Sequence, residues 1–230
     1  MKQLWICSCG QVPYKTSLEW QKKVVDQKSK DATLPDVVLL LEHPPVITIG
    51  KHGDPANILI SSQQCQQKKI EVFPIGRGGD VTFHGPGQIV GYPLIDLRNF
   101  DKSIRIFVTQ LEQVFISLLL KYYHISAERI EGYTGVWVNN QKITAMGLSV
   151  HRYITMHGFA FNVSTDLQYF RLITPCGISD KGVTTLEKET NLKISIESCI
   201  QQIGSEIGIT FQKQIEWKSI ENVLEFFKIS

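Results

Sequence analysis

The longest uninterrupted aliphatic run in the chain, from Val37 to Leu41, limits the folds open to it. Five apolar residues in a row, β-branched at the start, suit a buried central strand. Membrane crossing is excluded for this run, since a spanning helix needs about 20 such residues. His43-Pro44-Pro45 ends it, because proline cannot continue a hydrogen-bonded ladder. Further strand-like segments lie at residues 4–9, 46–49, 70–75 and 156–163. Residues 135–138 and 142–150, joined by Asn139-Asn140, predict a β-hairpin.

The clearest helix covers residues 104–123. Ile104, Phe107, Val108, Leu111, Val114, Phe115, Leu118 and Leu119 follow the 3-4 spacing of one buried face. Residues 17–30 predict a more polar helix, with Thr16 or Ser17 as N-cap and Glu19 in the first turn. Two more helices are expected near 195–207 and 219–227. Strands in the middle with helices around them predict an α+β fold, a mixed β-sheet flanked by helices. The expectation is one domain over residues 1–230, its motifs within 37–187. The C-terminal helices, about 190–228, are read as a small appended lobe.

Charge and cysteine usage narrow the classes of function. Lys and Arg number 24 against 22 Asp and Glu, a net charge of +2, which argues against a dedicated nucleic-acid binder. The apolar run after Lys2 is only Leu4-Trp5-Ile6, shorter than the roughly 7 residues of a secretory h-region, so a cytoplasmic protein with no membrane association is expected. Five cysteines (7, 9, 65, 176 and 199), with no C-x-x-C, predict reduced thiols rather than a disulfide framework. Cys7 and Cys9, two apart on a strand, share a face and read as small buried residues.

Residues 76–91 hold six of the 17 glycines, where an even spread would place about one. Glycine tolerates φ > 0 and lets another group approach the backbone closely. Interleaved with Arg77, Thr82, His84 and Gln88, such a cluster suits ligand contact, although tight turns between strands explain the glycines equally simply. It is neither a Walker loop nor G-x-G-x-x-G, so a nucleotide-phosphate cradle has no support.

Cys176 stands between Pro175 and Gly177, a setting open enough for a nucleophile. A free thiol with pKa near ~8.5 needs a neighbouring cation to ionise at neutral pH. Lys142, His84 and His157 are partners of suitable type. Read alone, Cys176 fits a small buried residue, Lys142 a solvated lysine and His157 a hydrogen-bonded core histidine. A zinc site from Cys176, His84 and His157 has no supporting spacing.

Taken in order, the motifs carry more. Arg77-Gly-Gly-x-x-Thr82-x-His84-Gly-Pro-Gly-Gln88-x-x-x-Tyr92-Pro93, then Lys142-Ile-x-Ala-Met-Gly147, His157-Gly-x-Ala-x-Asn162-Val and Pro175-Cys176-Gly177 resemble the lipoyl(octanoyl) transferase family, from about Val37 to Leu186. The resemblance implies the fold of biotin protein ligases and lipoate-protein ligases. It implies transfer of octanoyl from acyl carrier protein to a lysine of lipoyl domains in 2-oxoacid dehydrogenase complexes and of the glycine cleavage H protein. It implies Cys176 as acyl-accepting nucleophile and Lys142 as the group that lowers its pKa and handles protons.

By the same resemblance Arg77, Gly78, Gly79, Asp80, Val81, Thr82, Phe83, His84, Ala145, Met146, Gly147, Gly158, Phe159 and Ala160 line the acyl site. Burying an eight-carbon chain is worth about 0.8 kcal/mol per CH2. Backbone N–H groups of the glycine-rich loop are candidate oxyanion donors. Neither cofactor nor metal is expected, and the default state is a monomer. The competing readings are an ATP-dependent lipoate or biotin ligase on the same fold, and a non-catalytic binder of acyl carrier protein or lipoyl domains.

Overall fold

In the computed structural model, which describes residues 3–174 and 181–229, the aliphatic run is strand β2 (Asp36–Glu42) at the heart of a mixed sheet. Strand alternation sends Val37, Leu39 and Leu41 to one face and Val38 and Leu40 to the other; both faces are buried under apolar layers. The main sheet runs β12 (Ile215–Lys218), β1 (Leu4–Gln11), β2, β6 (Gln88–Leu94), β10 (Ile154–Asn162), β9 (Gln141–His151), β8 (Tyr133–Val138) and β7 (Glu128–Ile130). Short β11 (Gly182–Val183) adds to β9 in parallel. A second sheet, β4 (Glu71–Pro74), β3 (Val46–Ile49) and β5 (Val81–His84), leaves the first at the His43-Pro44-Pro45 break.

Helix α3 (Ile104–Tyr123) forms over the range its periodicity predicts, and with α5 (Ile196–Thr210) it covers one face of the main sheet. Phe107, Leu111, Val114, Phe115, Leu118 and Leu119 are buried, whereas Ile104 at the start of the stripe is 40% exposed. Helices α1 (Tyr14–Lys30) and α6 (Ile220–Phe226) cover the opposite face through Val24, Val25 and Val223. The C-terminal helices therefore lie on opposite faces of the main sheet rather than together as an appended lobe. Strand β12 between them was not foreseen; its four residues carry too little alternation to read.

Helix α1 begins three residues earlier than expected. Pro13 takes the N-cap position without a side-chain cap, and the Ser17 hydroxyl is buried, donating to the Tyr14 carbonyl at 2.9 Å. This early start puts Tyr14 inside the protein. Helix α2 (Ser62–Gln67) was missed too, though Ser61 and Gln64 form a capping box. The Asn139-Asn140 turn has φ of 47° and 64°, the left-handed pair expected of a two-residue hairpin. The β9–β10 turn uses Arg152-Tyr153 with φ of 47° and 71°, a pair that gives no such signal in sequence.

A buried ion triad ties the layers together. Asp36 is fully buried and accepts from Lys28 of α1 at 2.9 Å and Lys213 at 2.6 Å. It also accepts the Asp96 N–H at 3.0 Å. Burial pushes the Asp36 carboxyl up, but the two ammonium groups outweigh it and hold its pKa below the ordinary value. Asp36→Asn leaves the buried Lys28 and the partly buried Lys213 short of their counter-ion. Urea unfolding should show a loss of about 3–5 kcal/mol.

Candidate active site

Tertiary structure draws the motifs around one cavity on the α1 side of the main sheet, with about 560 Å³ of empty space, its open mouth included. Val90 and Tyr92 of β6 and Gly158 and Ala160 of β10 form the floor, Ala145 to Gly147 of β9 one wall. Arg77 to Gly79, Thr82 and His84 form another wall, and Tyr14 closes over them.

Twelve of the expected residues line this cavity: Arg77, Gly78, Gly79, Thr82, His84, Lys142, Ala145, Met146, Gly147, Gly158, Phe159 and Ala160. Three do not. On β5, alternation turns Thr82 and His84 to the cavity and Val81 and Phe83 to the core of the small sheet. Asp80 lies under the loop, where its carboxylate accepts the Asn57 amide at 2.6 Å and the Asp54 N–H at 3.1 Å. Sequence reasoning missed Tyr14, Val90, Tyr92 and His157 as lining residues. Tyr14 carries no local signal, since its place depends on where α1 starts.

The loop is pinned rather than open. Arg77 is 7% exposed and donates from Nε and Nη2 to the Thr48 hydroxyl at 3.1 and 3.0 Å, and from Nη2 to the Thr48 carbonyl at 2.8 Å. Gly79 has φ +89°, a conformation that disfavours any side chain. A Cβ on Gly147 would stand 2.8 Å from the Gly78 carbonyl and 3.2 Å from Arg77 Cδ, so only glycine lets β9 and the loop meet. The Gly78 N–H already donates to the Leu148 carbonyl at 3.1 Å and is not available as an oxyanion donor.

Lys142 reaches the cavity through a β-bulge. Thr144 pairs with Val136, but Lys142 pairs with Trp137, so β9 spends one extra residue there. Such a bulge re-aims the next side chain. The Lys142 ammonium sits 4.7 Å from the centre of the Trp137 ring. Lys142 also borders a broader groove lined by Ile104, Arg105 and Val108 of α3 and by residues 129–134. Gly78, Gly79, Lys142, Met146 and Gly147 border both spaces and form the neck between them.

Cys176, Pro175 and Gly177 lie outside the described residues. Both ends of that stretch are anchored. Ahead of it, Tyr169 stacks on Phe83 at 4.6 Å, Ile173 bridges Ile58, and the Thr174 N–H donates to the Asn57 carbonyl at 2.8 Å. After it, Val183 pairs with Lys142, and the Thr184 N–H donates to the Lys142 carbonyl at 3.0 Å. The four described cysteines, Cys7, Cys9, Cys65 and Cys199, are free; Cys7, Cys65 and Cys199 are buried in the apolar cores.

Three histidines surround the cavity floor, all neutral. His43 bonds the Val12 carbonyl at 2.6 Å and the Tyr92 hydroxyl at 2.7 Å; burial lowers its pKa to about 4. His84 falls to about 3, first through burial and then through the charge of His43. His157 falls to about 4 through burial and then Arg77. Its φ of +60° within a strand marks local strain of the kind found at functional sites.

The mixed sheet with helices on both faces is a fold shared with solved lipoate- and biotin-protein ligases. P. falciparum LipL1, solved in complex with lipoate, superposes with a TM-score of 0.78 over 98% of this chain and 68% of its own, at 14% identity. The Aquifex aeolicus biotin protein ligase gives 0.51 over 92% and 70%, at 12% identity. Residues 13–208 match the lipoyl protein ligase A/B catalytic domain, and the chain belongs to that family. An octanoyltransferase of Caldicellulosiruptor saccharolyticus is 46% identical over 99% of this chain and 97% of its own length.

Proposed function

We propose that the protein is an octanoyltransferase of protein lipoylation, moving octanoyl from acyl carrier protein to a lysine of lipoyl domains through a thioester on Cys176. The observation that carries this reading is an apolar pocket with Lys142, the one lysine among its described lining residues, at its neck, where a broader groove begins. Ala145, Met146, Phe159, Ala160 and Val90 suit an alkyl chain, and the Arg77 guanidinium donates to Thr48 and to the Gly78 carbonyl.

In this scheme the Lys142 ammonium favours the Cys176 thiolate, which attacks the octanoyl thioester; the carrier leaves as its thiol, taking the Lys142 proton. With the sulfur acylated, neutral Lys142 serves as base for the incoming lysine amine. The substrate arrives activated, so neither ATP nor a cofactor is called for. The groove beyond the neck receives the carrier and then the acceptor domain, and the enzyme works in the cytoplasm as a monomer.

Intact mass after brief mixing with octanoyl-acyl carrier protein, without ATP, tests the scheme. One hydroxylamine-labile octanoyl group should appear on the wild type and none on Cys176→Ala. Absence of the adduct from folded wild-type protein, with transfer appearing only with free acid and ATP, would overturn it in favour of a ligase.

A further inference from the structure

Gln88 and Asn162 belong to the motifs, yet neither lines the cavity, and the acyl-transfer scheme uses neither. They form a side-chain chain with only one possible direction. A backbone carbonyl can only accept, so the Asn162 amide nitrogen, 3.1 Å from the Thr184 carbonyl, must be the donor. The Asn162 oxygen therefore faces Gln88 and accepts from its Nε2 at 2.8 Å. The same nitrogen lies 3.4 Å from the Phe83 carbonyl, a second acceptor that demands the same orientation. The Gln88 oxygen is then left facing His84 Nδ1 at 2.7 Å, and that nitrogen must carry the hydrogen.

The ring is neutral, because burial and His43 depress its pKa to about 3. Its Nε2 is thus a bare lone pair in a residue that lines the cavity, with no partner among the described residues. Its position follows from the sheet. Gln88 and Asn162 are cross-strand partners, and Thr184, which Asn162 grips, is bonded to the backbone of Lys142. His84 and Lys142 line the same cavity.

We propose that His84 is a catalytic hydrogen-bond acceptor for the primary amine that attacks the acyl group, held in its Nδ1–H form by Gln88 and Asn162 as positioning residues. This rests on the acyl-transfer reading above. In the transfer step the amine nitrogen bonds to the thioester carbon, and the C–S bond breaks with its electron pair going to the Cys176 sulfur. The nitrogen sheds one proton to Lys142 and keeps one N–H, which His84 Nε2 receives. Charged and titratable groups facing His84 are Arg77, His43, Tyr14 and His157. Burial, His43, Arg77 and His157 disfavour imidazolium, so the acceptor stays intact across the working pH range.

Two half-reactions measured by single turnover separate this role from binding. His84→Asn keeps a donor for Gln88 and removes Nε2; transfer from octanoyl-enzyme to a lipoyl domain should slow about 10²-fold, a loss well beyond that of acylation by octanoyl-acyl carrier protein. Gln88→Glu is nearly isosteric and puts a carboxylate on Nδ1, bringing imidazolium formation into range. Transfer should then acquire an acid limb and recover at higher pH, whereas a purely structural role leaves the profile flat.

Imidazole 15N shifts of wild-type His84 should report protonated Nδ1 and bare Nε2. The opposite tautomer, equal slowing of both half-reactions, or unaffected transfer overturns the His84 role while leaving the thioester scheme standing. A wild type that forms no acyl-enzyme overturns both.

Discussion

Cys176→Ala is expected to lower octanoyl transfer by at least about 10³-fold, and Lys142→Met by about 10²- to 10⁴-fold, in steady-state rates with saturating octanoyl-acyl carrier protein. The two effects should not add. Once the nucleophile is gone its activator has nothing to act on, so the double variant should be no slower than Cys176→Ala. Lys142→Met keeps the chain length and loses the charge. Its Cys176 should alkylate with a pKa near the ordinary ~8.5, while the wild type alkylates well below that. The bulge between Lys142 and Thr144 makes this position hard to replace. A lysine moved to position 143 would enter the opposite core, where Ile143 is buried. Equal alkylation profiles in wild type and Lys142→Met would defeat the pairing of the two residues.

Stability should collapse between about pH 6 and pH 4, through three histidines rather than through carboxylates. His43, His84 and His157 have folded pKa values of about 4, 3 and 4, all below the unfolded value near ~6.5. A depressed pKa contributes stability that is present in full above the unfolded value. That stability is lost as pH falls toward the folded one, because the unfolded chain binds protons that the native state refuses. Three such groups give a slope approaching about 4 kcal/mol per pH unit where all are engaged. Urea midpoints measured from pH 7 to pH 4 should fall steeply, and His157→Asn should remove about a third of the slope. The Asp36 triad fails later, at pH values below the ordinary aspartate range, as its carboxyl is protonated. A midpoint that holds steady down to pH 4 would show that these rings are protonated in the native state.

Much of this was legible from residue order. Helix α3 appeared at both of its ends because a 20-residue amphipathic stripe is a long, repeated signal, closed by Ser103 as N-cap. The Asn139-Asn140 hairpin was legible because few residue pairs tolerate two left-handed conformations. Strand β6 was not. Its Gly91 and Pro93 argue against a central strand, yet Pro93 sits opposite Val38 and its carbonyl is taken by the Thr155 hydroxyl at 2.5 Å. That exchange joins residues 62 positions apart, beyond any local pattern.

The amino-acid order by itself supplied the candidates for chemistry, namely the glycine-rich loop, Lys142 and Cys176, and the classes of function their types exclude. Which of them share a wall was decided only by the tertiary structure. Strand alternation on β5 parts Val81 and Phe83 from Thr82 and His84, and a single bulge on β9 turns Lys142 to the pocket. The early start of α1 brings in Tyr14, and the backbone carbonyl of Thr184 sets which nitrogen of His84 carries the proton. Residue type states what a side chain can do. Direction, burial and hydrogen-bond polarity come from neighbours distant in the chain, so they exist only once the sheet has formed.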